Sequence, residues 1–374
     1  MSFSDFHGNA DVVRRLREAL GRERFPHGVI LTGPEGSGKY TLALMLARAM
    51  NCLDPKASTA ESADGLPDFC GACSNCVRIG LAADLDARFA EAVEAREALR
   101  ETDKKETRIL VQTHPDVLVI PPDPPQMLVK VDQVRRVIAN IYFRPAEARE
   151  RVYIFPSSAF MKEAANSLLK VLEEPPEFAT LFLLAENPGA LLATIRSRCV
   201  QFALAPLDRL EIEKDLAQTK PDWTPAQRIL VARLSGGAVG KARTFDLAGY
   251  MAARAQALAI LGSALADDAG RDHSALFKVT ETYRAGADGR DKTEQLLRTL
   301  YSLLQDLLWM LEGTPELVRN TDVAGDLKKM AKMADFEWVQ TAAERLAEVE
   351  RGMRRNLLRS LSLDSFAVGL ERHL

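Results

Sequence analysis

Residues 33–41, Gly33-Pro34-Glu35-Gly36-Ser37-Gly38-Lys39-Tyr40-Thr41, combine three glycines and a lysine at the spacing Gly-x4-Gly-Lys. Glycine lets backbone N–H groups turn toward phosphate oxygens, and a lysine so placed reaches the outer phosphates, so the pattern is that of a P-loop for ATP or ADP. Gly33, Gly36, Gly38, Lys39 and Thr41 are the candidate nucleotide-binding residues. The position after the lysine, where a Ser or Thr hydroxyl ligates Mg²⁺, holds Tyr40, whose phenol is too bulky for that role. Thr41 lies about 100° further round a helix and substitutes poorly. The same residues also fit a purely structural turn that binds no nucleotide.

Hydrolysis at such a loop needs a carboxylate at the end of a neighbouring strand to hold the metal, and a second to activate water. The strand-like run Arg151-Val152-Tyr153-Ile154-Phe155 ends in Pro156-Ser157. Neither residue is a carboxylate or a general base at neutral pH. Two independent parts of a hydrolytic apparatus are therefore missing.

Cys70-x2-Cys73-x2-Cys76 together with Cys52 supplies four thiolates, the donor set of a closed tetrahedral Zn²⁺ site with no open position for a substrate. The expectation is structural zinc, with unpaired thiols as the alternative. Cys199 is remote from this cluster and reads as a small buried residue. Thr194-Ile195-Arg196-Ser197-Arg198-Cys199 sets two arginines ahead of a strand-like run. On spacing alone, a solvated loop arginine is the default reading.

The elements that must position these groups are legible in the hydrophobic pattern. Val29–Leu31 reads as a strand feeding the loop, and Thr41–Met50 as the helix that follows it. Further strand-like runs occupy Val117–Ile120, Val152–Phe155, Thr180–Leu184 and Val200–Leu204, with helical patterns at Val131–Ile141 and Met161–Leu172. Alternating strands and helices predict a parallel five-stranded sheet covered on both faces. Residues 82–108 are crowded with both signs of charge along a thin apolar seam of Leu85, Phe89 and Val93, the pattern of an exposed helical insertion. Pro121-Pro122-Asp123-Pro124-Pro125 is a loop. After Leu204 the strand signals stop, Ala205-Pro206-Leu207 reads as a boundary, and the rest is helical. Leu296, Leu297, Leu300, Leu303, Leu304, Leu307, Leu308 and Leu311 share one face, which fits either a bundle core or an assembly surface.

Length and composition bound the reading. The 374 residues exceed one hydrophobic core and predict two or three domains. Apolar residues make up 47% and charged residues 27%, ordinary globular values, and low aromatic content (6%) leans toward helix. A formal charge of -3 excludes a globally basic nucleic-acid binder, so DNA contact must come from a local patch or from partner chains. The polar start, Met-Ser-Phe-Ser-Asp-Phe-His, and the lack of an apolar run of about 18 residues predict a cytoplasmic protein. Five cysteines, four of them clustered, agree with a reducing compartment.

Four blocks of sequence, taken together, resemble bacterial DNA polymerase III clamp-loader subunits. They are His27-Gly28-Val29-Ile30-Leu31-Thr32-Gly33-Pro34, the four cysteines, Leu168-Leu169-Lys170-Val171-Leu172-Glu173-Glu174-Pro175-Pro176, and Ile195-Arg196-Ser197-Arg198-Cys199. The resemblance covers about residues 1–245 and implies an AAA+ fold: a P-loop α/β domain, a small helical lid and an all-α C-terminal collar. It implies the divisions 1–205 (with the zinc module near 52–76 and the charged insertion near 82–108), 206–245 and 246–374. Motor subunits of the family, gamma or tau, carry a complete P-loop and an Asp-Glu strand end, whereas delta-prime subunits have degraded versions. This sequence departs in the delta-prime direction, and His114-Pro115-Asp116 and the spacing from Pro188 to Arg198 also look like delta-prime.

The resemblance implies a non-hydrolytic subunit of a hetero-pentameric ring with gamma/tau and delta subunits. Such a ring loads the sliding clamp onto primed DNA during replication. The resemblance makes Arg198 an arginine finger acting in trans on a neighbour's ATP. The family's sensor arginine falls near Gly240, with Lys241 adjacent and not equivalent. The alternative is an ATP-hydrolysing gamma/tau-like motor subunit.

Overall fold

The computed structural model describes residues 2–22, 24–55, 65–266, 287–354 and 359–370. The chain separates into two compact units, Met1–Ile212 with Gly237–Lys241, and Glu213–Gly236 with Ala242–Leu374.

The first unit is built on β1 (Gly28–Thr32), β2 (Val111–His114), β3 (Val117–Val119), β4 (Arg151–Phe155), β5 (Ala179–Ala185) and β6 (Val200–Ala203), in the order β2-β3-β4-β5-β1-β6. Its helices are α1 (Ala10–Gly21), α2 (Lys39–Asn51), α3 (Ser74–Gly80), α4 (Leu85–Glu97), α5 (Glu101–Glu106), α6 (Val131–Ile141), α7 (Lys162–Glu173) and α8 (Ala193–Arg196). The five strands expected from the sequence pair in parallel. Every residue of β1 and β5 is buried, as a parallel sheet covered on both faces requires.

Side chains alternate across a strand, so one sheet feeds two cores. Val29, Leu31, Ile154, Phe182 and Leu184 join α1 and α2. Ile30, Tyr153, Phe155, Leu181 and Leu183 join α6 and α7. This is an α/β domain with helices on both faces of the sheet, and its glycine-rich loop lies between β1, the neighbour of edge strand β6, and α2.

A sixth strand was not expected. β2 extends one edge in the antiparallel sense, pairing Val111 with Val119 and His114 with Val117. It has four residues and only its ends are buried. Gln112 and Thr113 break the apolar run, so nothing in the periodicity marks it; a tight connection through Pro115-Asp116 makes the pairing local.

Asp116 then organises the approach to β4. Its buried carboxylate accepts the N–H groups of Ala146 (2.8 Å), Glu147 (2.8 Å) and Ala148 (2.9 Å). Asn51, at the end of α2, holds the next residues by accepting from Arg149 and Glu150 N–H at 3.1 and 2.9 Å. Burial alone would raise the Asp116 pKa, but the three N–H groups and Arg151 outweigh it and hold the carboxyl below its usual range.

Residues 82–108 carry α4 and α5. Leu85, Phe89 and Val93 are half-buried, and no residue of α4 is fully buried. The stretch is tied down by charge: Arg96 donates to the buried Asp123 carboxylate at 3.1 Å, and Asp123 also accepts Ile109 N–H at 3.0 Å and pairs with Lys130 at 2.7 Å.

Helices α9 (Arg209–Thr219) and α11 (Val239–Arg243) have residues in both units, and α10 (Pro225–Leu234) belongs to the second. There α12 (Leu247–Leu265), α13 (Ala287–Leu311), α14 (Ala324–Met333), α15 (Phe336–Arg354) and α16 (Arg359–Gly369) share one core. Leu296, Leu297, Leu300, Leu303, Leu304 and Leu307 are buried in it, with Leu308 and Leu311 packed on its margin. The leucine face is therefore a bundle core.

A buried polar knot fixes one end of that bundle: Asn320 accepts from Tyr250 (2.7 Å) and Arg254 (2.9 Å), and donates to Asp306 (2.8 Å). Among the described residues no helix is long and apolar enough to cross a membrane.

Because its folded pKa is depressed, Asp116 stabilises fully above the ordinary carboxylate value of about 3.9, and the contribution is lost as pH falls through the lowered value. Asp116→Asn is expected to cost about 1–3 kcal/mol at pH 7, the gap to wild type narrowing only below about pH 4. Urea unfolding at the two pH values checks it; equal stability at pH 7 would contradict the anchoring role.

Candidate functional site

The glycine-rich loop runs from the C-terminal edge of β1 to the first residue of α2, Lys39. Gly33, Gly36 and Gly38 have φ of +146°, +76° and +88°. At Gly36 the demand is steric too: a Cβ there would lie 2.6 Å from the backbone nitrogen of Lys241, and Gly240 N–H donates to Gly36 O at 2.9 Å. Residues 237–241, where the resemblance puts a sensor arginine, thus meet the loop through their backbone. Lys39 Nζ donates to Gly33 O (2.6 Å) and Pro34 O (2.7 Å). Burial lowers its pKa, and the carboxylates of Glu186 and Glu35 oppose that shift.

Tyr40 points elsewhere. Its hydroxyl donates to Ala82 O at 2.7 Å, and burial pushes its pKa well above the ordinary value. The residue at the Mg²⁺-ligating position is thus a strut to the segment that follows α3. Thr41 is exposed. β4 ends at Phe155, and Ser157 beyond it accepts from Ala159 N–H at 3.1 Å. The carboxylates that act on Lys39, Glu186 after β5 and Glu35 in the loop, went unmarked in the sequence. The position of Glu186 directly after the run Thr180–Leu184 and Ala185 was the available signal.

α2 carries the chain about 20 Å from Lys39 to the cysteine cluster. Cys52 caps its C-terminus and Cys73 caps the N-terminus of α3. The sulfurs of Cys52, Cys70, Cys73 and Cys76 all lie within 4.8 Å of one another. A tetrahedral thiolate site with metal–sulfur bonds of about 2.3 Å spaces its sulfurs about 3.8 Å apart, so the cluster fits one metal ion.

Backbone N–H groups point at the sulfurs: Cys70 to Cys52 and Cys73 to Cys70 at 3.3 Å, Leu53 to Cys73 at 3.4 Å and Cys76 to Cys73 at 3.5 Å. Burial, which would raise the Cys73 pKa, is outweighed by the N–H groups of Cys76 and Leu53 and by the neighbouring Cys76 and Cys70 thiols, so this thiol sits below its ordinary value. Such N–H bonds stabilise thiolate ligands. Cys199 stands apart, and burial pushes its thiol up to about 11.

Arg198 lies just before β6. β6 runs parallel to β1 with Val29 opposite Val200 and Thr32 opposite Ala203, so Arg198 belongs to the N-terminal edge of the sheet and the loop to the C-terminal edge. Five residues of β1 separate the two edges, about 15 Å. At the N-terminal edge three of the sequence blocks meet. A Cβ on Gly28 would lie 2.9 Å from Cys199 Sγ and 3.2 Å from Leu172 Cδ2, and Arg198 pairs with Glu173. The structure gathers the loop residues in one place and the cysteines in another, and brings Arg198 to neither.

The family described as "DNA polymerase III, delta subunit" matches residues 8–208. The chain belongs to that family. Relatives of the delta-subunit family member include the DNA polymerase III subunit delta' of Bacillus subtilis, 24% identical over 350 residues that cover 92% of this chain and 91% of that protein. The delta' subunit of Pseudomonas aeruginosa is 32% identical over 241 residues, 63% of this chain and 60% of that one. The tau/gamma subunit of Haemophilus influenzae is 28% identical over 217 residues, 58% of this chain and 25% of that one. The chain thus spans about a quarter to a third of the tau and tau/gamma relatives it matches.

Cys73→Ser is expected to reduce bound metal from about one ion per chain to near zero and to lower the thermal midpoint by several degrees. Elemental analysis and thermal unfolding check both. A metal-free wild type of unchanged stability would contradict the site.

Proposed function

We propose that this chain is a delta-prime-like, non-hydrolytic subunit of the DNA polymerase III clamp loader. It assembles in a ring with ATP-hydrolysing gamma/tau subunits and a delta subunit, and helps load the sliding clamp onto primed DNA. The observation that carries the reading is the position of Arg198, a sheet's width from its own P-loop. An arginine so placed serves phosphates presented by another chain. There it neutralises charge developing on the transferred phosphoryl group, an effect worth about 10³ to 10⁵ in rate in related systems.

The chain's own loop supports the non-hydrolytic reading. Tyr40 is engaged with Ala82, β4 ends without a carboxylate, and the segment at the sensor position offers Gly240. The loop keeps Gly33, Gly36, Gly38, Lys39 and Thr41, so ATP or ADP binding without turnover is compatible with it. The four cysteines hold a structural Zn²⁺, which crosslinks a segment too small for its own core, an apparent stabilisation on the order of 10 kcal/mol. Residues 1–205 act as the AAA+ domain, 206–245 as its lid and 246–374 as the collar through which the ring assembles, in the cytoplasm. The matches to tau and gamma subunits favour a motor-subunit reading, and the missing Mg²⁺ ligand and strand-end carboxylate weigh against it.

Arg198→Ala should leave the chain folded and remove turnover at the one neighbouring site it serves, about 10³-fold there, so that ATP hydrolysis by the reconstituted loader falls by that site's share. Steady-state ATPase of loader assembled with wild type or variant measures it. Unchanged turnover would remove the trans role.

A further inference from the structure

Arg198 is bound at both ends of its guanidinium by acceptors of its own chain. Nη2 donates to Glu173 Oε1 at 2.5 Å, and Nη1 donates to Thr194 O at 2.8 Å and to Ser197 Oγ at 3.3 Å. Thr194 lies four residues back, so the side chain is folded onto the turn it leaves instead of extending from it.

Glu173 is the last residue of α7, and its neighbour Leu172 is buried against the Gly28 and Cys199 joint. Rigid packing therefore delivers the carboxylate, while the pair itself stays wet, with Arg198 32% and Glu173 50% exposed. A pair so exposed shifts a population by a factor of only about 1.4 to 5. It is strong enough to bias a side chain and weak enough to be exchanged.

The geometry points to Glu173 as a positioning residue that parks Arg198, holding it folded back and charge-paired until the phosphates of a nucleotide on a neighbouring chain draw it away. This rests on the trans role of Arg198 proposed above. A phosphate chain carries more charge than one carboxylate and accepts arginine bidentately, so the exchange runs toward the nucleotide once it is presented. The pairing with Glu173 must be given up on the way, and it subtracts from the apparent affinity of the nucleotide-bound state.

Glu173→Gln removes the charge and keeps the shape. In loader reconstituted with the motor subunits of the same source, it should lower KM for ATP by about 1.4- to 5-fold with kcat held within about twofold. The shift should vanish in an Arg198→Ala background, and Glu173→Asp, which keeps the charge, should stay nearer wild type. Isolated variants with unchanged thermal midpoints separate this from a folding defect. A loss of kcat equal to that of Arg198→Ala would mean that Glu173 holds the arginine in its working pose, and would overturn parking. Unchanged KM and kcat beside a defective Arg198→Ala would overturn it as well. If Arg198→Ala itself left turnover unaltered, the trans role would fall and parking with it.

Discussion

The parallel ladder between β1 and β6 is the constraint on which the account depends. Its register, Val29 with Val200 through Thr32 with Ala203, leaves no choice about where the chemistry goes. The glycine-rich loop must emerge at one edge of the sheet and Arg198 at the other. The fully buried β1 and the edge strand β6 are held in register by the ladder's hydrogen bonds, so side-chain motion cannot close a gap of about 15 Å. An arginine and a phosphate loop so separated serve two different nucleotides or none.

Around that ladder the chain has used its loop-proximal groups structurally. Tyr40 braces α2 against Ala82, and the same helix ends in Asn51 and Cys52, which hold the approach to β4 and one corner of the cysteine cluster. α2 is thus the spine joining loop, thiol cluster and sheet. Changes in the cluster act on the fold of this unit and reach the loop along about 20 Å of α2 or through α3 and the Ala82–Tyr40 contact. That separation suits a metal that staples a segment and takes no part in reaction.

The parallel strands, the loop and the cysteine set were legible because each is written in local pattern: short continuous apolar runs, glycine spacing and Cys-x2-Cys spacing. What the sequence hid is made of single long-range contacts. β2 shows only Val111 and His114 as buried ends, and its partner is a neighbouring hairpin strand instead of a periodic run. Asp116 and Asn51 looked like ordinary polar residues, yet each accepts several N–H groups from residues 146–150. The pairing of Arg198 with Glu173 joins two motifs 25 residues apart, which sequence alone had marked as separate blocks. The leucine face of α13 resolved as a bundle core because its partners, α12 and α15, carry complementary apolar faces.

The most direct test of the central claim is ATP hydrolysis by the purified chain with Mg²⁺ and primed DNA, measured beside Lys39→Ala as the control for contaminating activity. The account predicts no turnover above that control, since Tyr40 and Pro156-Ser157 stand where the metal ligands of a hydrolase belong. Turnover that Lys39→Ala abolishes would contradict it and make this chain a motor.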